Sequence, residues 1–267
     1  MVIAFINQKG GCGKSSSCFH LAGTFARHGR SVLLVDADPQ GSLSQAFFGS
    51  TTIERLSAEQ SLAGLFDDEL TVNRNVVIDT HIPNIRLLPA NYRLARHNAP
   101  EPELFGLKQH ILSEFLEQQP AADITLIDCP PNLYLCSWNA MVAADFVTIP
   151  VPPEDFGTQG LLAVDQAIDR ARLLNSRLTL LGHLVTRADR RLLVHRTYEL
   201  KLRQLYGDSV FKTVVPEATA FKMALVHRRP VSHSAAKSQA AAAMRELADE
   251  VLLRAAEHGE RLWSARP

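Results

Sequence analysis

The sequence has little cysteine, no net charge and no long apolar run, and each shortage excludes a class of protein. Its 267 residues hold four cysteines, Cys12, Cys18, Cys129 and Cys136. No two stand at the CxxC spacing of a zinc site. Disulfides are not expected either, because the rest of the chain reads as cytosolic, where thiols stay reduced. Basic and acidic residues number 28 each, for a formal net charge of +0. No global field therefore draws in nucleic acid or an anionic membrane, and any such attraction has to be local. Nothing approaches the roughly 20 apolar residues of a membrane span. The opening MVIAFINQKGG lacks a basic region ahead of an apolar stretch that is itself too short for a signal peptide. Internal repeats, low-complexity tracts and a convincing linker are also missing. The expectation is a soluble, cytoplasmic protein with one domain over residues 1–267, long enough to bury a sizeable core.

What is present is alternation. Short apolar runs at 2–6, 31–35, 85–88, 124–127, 146–151, 178–185 and 210–215 are each about strand length. Most lack a two-residue period, as strands buried on both faces do. Between them, 15–28, 103–118, 157–175, 195–205 and 238–254 carry apolar residues at helical spacing. Gly29 suits a helix C-terminus and Pro120 closes the second segment. Strands alternating with helices predict an α/β fold of three layers: a mostly parallel, twisted sheet flanked by helices. Residues 50–83 are the least legible, an irregular excursion with one short helix at 61–66.

The stretch Gln8-Lys9-Gly10-Gly11-Cys12-Gly13-Lys14-Ser15-Ser16 follows the first strand and opens the first helix. That is the context of a phosphate-binding loop. Its glycines let backbone N–H groups converge on phosphate oxygens, and the helix N-terminus adds its positive end. Lys14 is placed to reach the β- and γ-phosphates, and the Ser15 hydroxyl to bind Mg²⁺. The usual glycine five positions before Gly13-Lys14 is Gln8 here, and an extra lysine, Lys9, precedes the first glycine. Cys12 reads as a space-filler, since nothing in sequence pairs it with a base. From spacing alone, Lys9 is equally a solvated surface lysine or a functional one. Asp36 and Asp38 at the end of the second strand are equally a turn or cap and a catalytic pair.

From these residues onward the chain resembles the ParA/MinD family of deviant Walker A ATPases, and its ParA/Soj partition branch most closely. NQKGGCGKSS resembles the family's first signature, VLLVDADPQG (32–41) its second, ITLIDCPP (124–131) its Walker B strand, and FKTVVP (211–216) its late strand ending in proline. The resemblance implies ATP and Mg²⁺ as ligands and Gly10, Gly11, Cys12, Gly13, Lys14, Ser15 and Ser16 as the cradle. It also implies Asp36 and Asp128 in the magnesium shell with Ser15, and Asp38 orienting the attacking water. Lys9 would cross a homodimer interface to the other subunit's nucleotide, as an arginine finger does in trans. Thr186 and Pro216 would flank the adenine. Turnover would be slow, with ATP favouring the dimer and hydrolysis releasing it.

Residues 181–230 hold ten basic and four acidic side chains, a balance of 10 − 4 = +6 in a neutral chain. On composition that is a solvated charged face or a footprint for sequence-independent DNA binding. The resemblance favours DNA and a nucleoid-associated location. Glu217 stands where the family often has an arginine, so the DNA contacts are expected at Arg191, Lys222, Arg228 and Arg229. A ParB-like or adaptor protein would stimulate hydrolysis. No helix-turn-helix precedes the loop, as in the family's short form. A membrane-cycling switch of the MinD kind competes with this reading, but Glu246, Asp249, Glu250, Glu257 and Glu260 make the polar face of 246–263 acidic, and an anionic bilayer repels it. A metabolic amidoligase or nitrogenase-type reductase on the same fold is the third possibility. The reductase needs paired cluster cysteines, and Cys129 has no second cysteine in the expected later loop.

Overall fold

The computed structural model describes residues 1–67, 76–154 and 158–264. Seven strands form one sheet in the order β3-β4-β2-β5-β1-β6-β7. They are β1 (Val2–Phe5), β2 (Val32–Asp36), β3 (Ile78–Asp79), β4 (Ile85–Leu88), β5 (Ile124–Asp128), β6 (Phe146–Val151) and β7 (Thr179–Val185). All neighbours pair in parallel except β3, a short antiparallel edge strand beside β4. Every residue of β2, β5 and β6 is buried, which is why their sequences show unbroken apolar runs rather than alternation. One apolar cluster lies on each side of the sheet. Trp138, Met141 and Leu161 belong to the first, and Phe19, Phe25, Phe211 and Leu247 to the second.

The helices are α1 (Lys14–Arg27), α2 (Ser42–Phe48), α3 (Ser50–Glu54), α4 (Ile111–Glu117), α5 (Leu135–Ala143), α6 (Thr158–Ala171), α7 (Leu193–Tyr206), α8 (Thr219–Val226), α9 (Val231–Ser234) and α10 (Gln239–Ser264). None of the described helices is long and apolar enough to cross a membrane. The short helix expected at 61–66 is a 3₁₀ turn, Leu62–Phe66. The start of α6 expected at Gly157 lies outside the described residues. That helix ends four residues early because the Asn175 amide donates to the Met141 and Ala144 carbonyls at 3.1 and 2.6 Å, turning the chain toward β7.

Two expectations are corrected. Residues 103–118 are not one helix: a 3₁₀ segment (Pro102–His110) precedes α4, and Gly106 breaks it at φ 52°, ψ −126°. Side chains of α5 take groups that a continuous helix would keep. Asn139 donates to the Lys108 carbonyl at 2.9 Å and accepts from Leu112 N–H at 3.1 Å. Nor is 210–215 a strand. It meets β7 through Phe211 N–H to the His183 carbonyl and Val215 N–H to the Val185 carbonyl, at 2.9 Å each. Between those points the N–H groups of Lys212 and Thr213 turn instead to the Glu250 carboxylate on α10, both at 2.8 Å. Arg254, one helical turn on, donates to the carbonyls of Leu181, Asp208 and Val210.

Helix α1 packs so closely on the start of α9 that Gly23 has no room for a side chain. A Cβ there would lie 2.7 Å from Pro230 Cγ and 2.8 Å from Ser232 Oγ. Gly23→Ala is expected to destabilise the fold by about 1–3 kcal/mol despite alanine's better helix propensity. Urea unfolding measures this, and a stabilised variant would refute the close packing.

Candidate nucleotide site

Parallel pairing carries the ends of β1, β2 and β5 to one edge of the sheet. The register sets Phe5 beside Asp128 and Asp128 beside Asp36, so two carboxylates far apart in sequence become neighbours. The loop after β1 turns through Gly11 (φ 69°) and Gly13 (φ 95°), left-handed conformations in which a side chain is strained. Over Gly13 sits Thr186, whose hydroxyl donates to the Cys12 carbonyl at 2.7 Å.

This loop and the start of α1 floor a cavity of about 540 Å³. Gly10, Gly11, Cys12, Gly13, Lys14, Ser15, Ser16, Asp38, Thr186 and Pro216 all line it. Val215, Ala218, Phe221 and Leu225 supply an apolar wall on the far side. Lys14 is buried, and its ammonium donates to the Asn7 and Lys9 carbonyls at 3.0 and 3.3 Å. Lys9 does not line the cavity. Its half-exposed ammonium pairs with Glu154 at 2.9 Å, and that bond holds the Glu154 carboxyl below its usual range.

The three aspartates differ in environment. Asp36 is fully buried and accepts from Ser44 Oγ at 2.7 Å, Ser44 N–H at 2.8 Å and Asp38 N–H at 3.2 Å. Burial still pushes its pKa up to about 7, against those hydrogen bonds. Asp38 faces the cavity and accepts from Gln40 N–H at 2.9 Å, and burial raises it as well. Asp128 is the outlier, since both of its buried oxygens lack a hydrogen-bond partner. Burial and then the Asp36 charge push it far above the carboxylate range. The Ser15 hydroxyl pulls the other way, although no contact to Asp128 reaches normal hydrogen-bond geometry. An orphaned buried carboxylate beside a serine at a helix N-terminus is a place for a cation. Among the described residues no three His, Cys, Asp or Glu side chains converge on a metal position. A cation here would therefore take most of its ligands from phosphate and water, as magnesium does.

Sequence reasoning missed two residues. Asn7 braces the loop: it accepts from Lys9 N–H at 3.0 Å and donates to the Pro150 carbonyl on β6 at 2.7 Å. Arg187, at φ 55°, donates to the Gly11 carbonyl at 2.9 Å and also lines the cavity. A positive φ on an arginine leaves no mark in sequence. Arg187 and Lys222 both pair with Glu217, at 3.3 and 2.8 Å, and these cations lower its pKa, Lys222 most.

The four cations expected at DNA do not form one group. Arg191 is clamped by Asp189 at 2.7 Å, and Lys222 lies at the cavity beside Glu217. Arg228 and Arg229 are exposed at the far end of α8.

A parallel strand, a glycine turn, a helix N-terminus with a buried lysine, and strand-end aspartates together make a P-loop nucleotide site. The sequence pattern of the AAA domain family matches residues 1–180. The chromosome-partitioning ATPase Soj of Thermus thermophilus is 34% identical over 262 residues, covering 96% of each chain. The chromosome partitioning protein ParA of Caulobacter vibrioides is 34% identical, covering 95% of this chain and 94% of its own. Among solved structures, cobyrinic acid a,c-diamide synthase of Mycobacterium smegmatis, with bound ADP and magnesium, superposes with a TM-score of 0.78. It is 29% identical and covers 97% of this chain and 96% of its own. The chain belongs to the Soj/ParA family of ATPases within the AAA domain family.

Proposed function

We propose that this protein is an ATP-driven switch that positions DNA or another cargo, pairing with a second copy over two bound ATP molecules. The relatives named for chromosome partitioning supply the cargo class. The observation that carries the pairing is the divided use of two lysines in one loop. Lys14 lines the cavity, whereas Lys9 points out of it. A cation that leaves its own site and stays near the surface is available to another molecule's phosphate.

Lys14 would exchange the Asn7 and Lys9 carbonyls for the β- and γ-phosphates. Ser15 and, through water, Asp128 would hold magnesium, which neutralises charge on those phosphates when bound. Asp36, which the resemblance assigns to the magnesium shell, has both oxygens engaged by Ser44 and Asp38 and would support that shell from behind Asp128. Asp38 would orient water in line with the γ-phosphate, and Lys9 of the second copy would stabilise the charge that develops there. Thr186 and Pro216 would flank the adenine against the apolar wall. The chemistry is positioning and charge neutralisation without covalent catalysis, so hydrolysis is slow until a ParB-like or adaptor partner completes the site. The paired form would hold nonspecific DNA and so associate with the nucleoid.

Light scattering tests the pairing on Asp38→Ala, which should retain ATP unhydrolysed. The mass is expected to double with ATP and stay single with ADP. A single mass at saturating ATP overturns the proposal.

A further inference from the structure

Among the described residues that line the nucleotide cavity, the acids are Asp38 and Glu217. Asp38 belongs to the phosphate end, where the Lys14 charge acts on it. Glu217 stands between Pro216 and Ala218 on the opposite wall. Its place is set from three sides. The Glu217 N–H donates to the Ala188 carbonyl at 3.0 Å. Arg187 Nε donates to one carboxylate oxygen at 3.3 Å, and Lys222 Nζ to the other at 2.8 Å. Arg187 also donates from Nη1 to the Gly11 carbonyl at 2.9 Å, with its own backbone at φ 55°. A left-handed arginine is strained, and such strain persists only where the surroundings fix it. Arg187 thus braces the Glu217 carboxylate against the loop that cradles the phosphates.

A carboxylate has about four lone-pair positions, and the two cations take one on each oxygen. Room for a further donor remains, and the side chain is 32% exposed. The part of the ligand that reaches this wall is the base. The glycine cradle holds the phosphates, and Val215, Ala218, Phe221 and Leu225 offer the base an apolar face. At its position 6 adenine carries an amino group, a donor, whereas guanine carries an oxygen, an acceptor. We propose that Glu217 is a specificity-determining residue of the nucleotide site, accepting a hydrogen bond from the 6-amino group of adenine and rejecting a 6-oxo purine such as guanine. A 6-oxygen would face the carboxylate with no proton between them, leaving both acceptors unpaired. Arg187 is a positioning residue that acts through Glu217. The proposal rests on the ATP reading of the cavity and adds to it the group that reads the base.

The test is displacement of a ribose-labelled fluorescent ATP from the full chain, with magnesium, by three competitors. They are ATP, purine riboside triphosphate (ATP without its 6-amino group) and inosine triphosphate, which carries the 6-oxygen of guanine without its 2-amino group. The unaltered protein is expected to bind ATP about tenfold more tightly than the 6-unsubstituted analogue, the scale of one hydrogen bond to a charged acceptor. Inosine triphosphate should bind more weakly than either. In Glu217→Ala the preference for ATP over the analogue should fall to about twofold or less, while the analogue still binds. A purely structural role for Glu217 would free Arg187, slacken the cradle and weaken all three nucleotides alike. Unchanged ratios in Glu217→Ala therefore overturn the proposal, as does an unaltered protein that binds ATP and the analogue equally. If Glu217→Ala binds no nucleotide, Glu217→Gln decides: a lowered preference for ATP supports the proposal, and an unchanged one overturns it. If the unaltered protein binds no ATP at all, the ATP reading itself fails, and the base reader with it.

Discussion

Lys9→Ala is expected to lower ATP turnover by about 10³-fold or more while ATP still binds, the scale of losing a cation donated in trans to a γ-phosphate. Binding is retained because Lys14, the glycines and the helix N-terminus line the cavity and Lys9 does not. What remains at Lys9 is its backbone: the carbonyl that Lys14 contacts and the N–H held by Asn7, neither of which alanine removes. Phosphate release measures turnover and a fluorescent nucleotide measures binding. The loss could also arise from breaking the Lys9–Glu154 pair, and Glu154→Gln separates the two causes. That pair is half-exposed, so removing it should cost at most about 1 kcal/mol and leave turnover near normal. Full activity in Lys9→Ala would end the account of paired copies.

The second large effect is expected at Asp128. Asp128→Asn should raise the magnesium concentration needed for turnover by about 10–100-fold, and removing the metal with EDTA should abolish turnover in both proteins. The same substitution should stabilise the metal-free protein near neutral pH, because it removes a buried carboxylate without a partner. The sign follows from the raised pKa values. Asp36, at about 7, and Asp128, above its ordinary range, bind protons more tightly folded than unfolded. Their contribution to stability is intact below about pH 4 and falls away as pH rises, through about 7 for Asp36. The melting-temperature advantage of Asp128→Asn should therefore be absent near pH 4 and grow toward pH 8. Magnesium with nucleotide should erase it by stabilising the unaltered carboxylate. An advantage that shrank with rising pH would contradict the environment described for Asp128.

The sheet was legible because its inner strands bury both faces, which forces unbroken apolar runs at β1, β2, β5 and β6. The cradle was legible because only glycine tolerates the turns at positions 11 and 13. The misreadings share a cause: groups remote in sequence took over backbone donors and acceptors. Glu250 draws the N–H groups of Lys212 and Thr213 out of a strand ladder, and Asn139 takes two backbone groups from a helix. A hydrophobic pattern records burial and not where each N–H points. Arg187 escaped notice because its place over Gly11 depends on a left-handed backbone. Glu217 was expected only to move DNA contacts elsewhere, and its charge gave no hint that two neighbouring cations would close on it.

Glu250 and Arg254 also make α10 a splint for the nucleotide cavity. They fix the chain at 208–213, a few residues before Val215 and Pro216 enter the cavity wall. Shortening the chain to before Glu250 would slacken that wall from behind. Such a truncation should register first as weakened grip on the base, with the phosphate cradle at the opposite end of the sequence untouched.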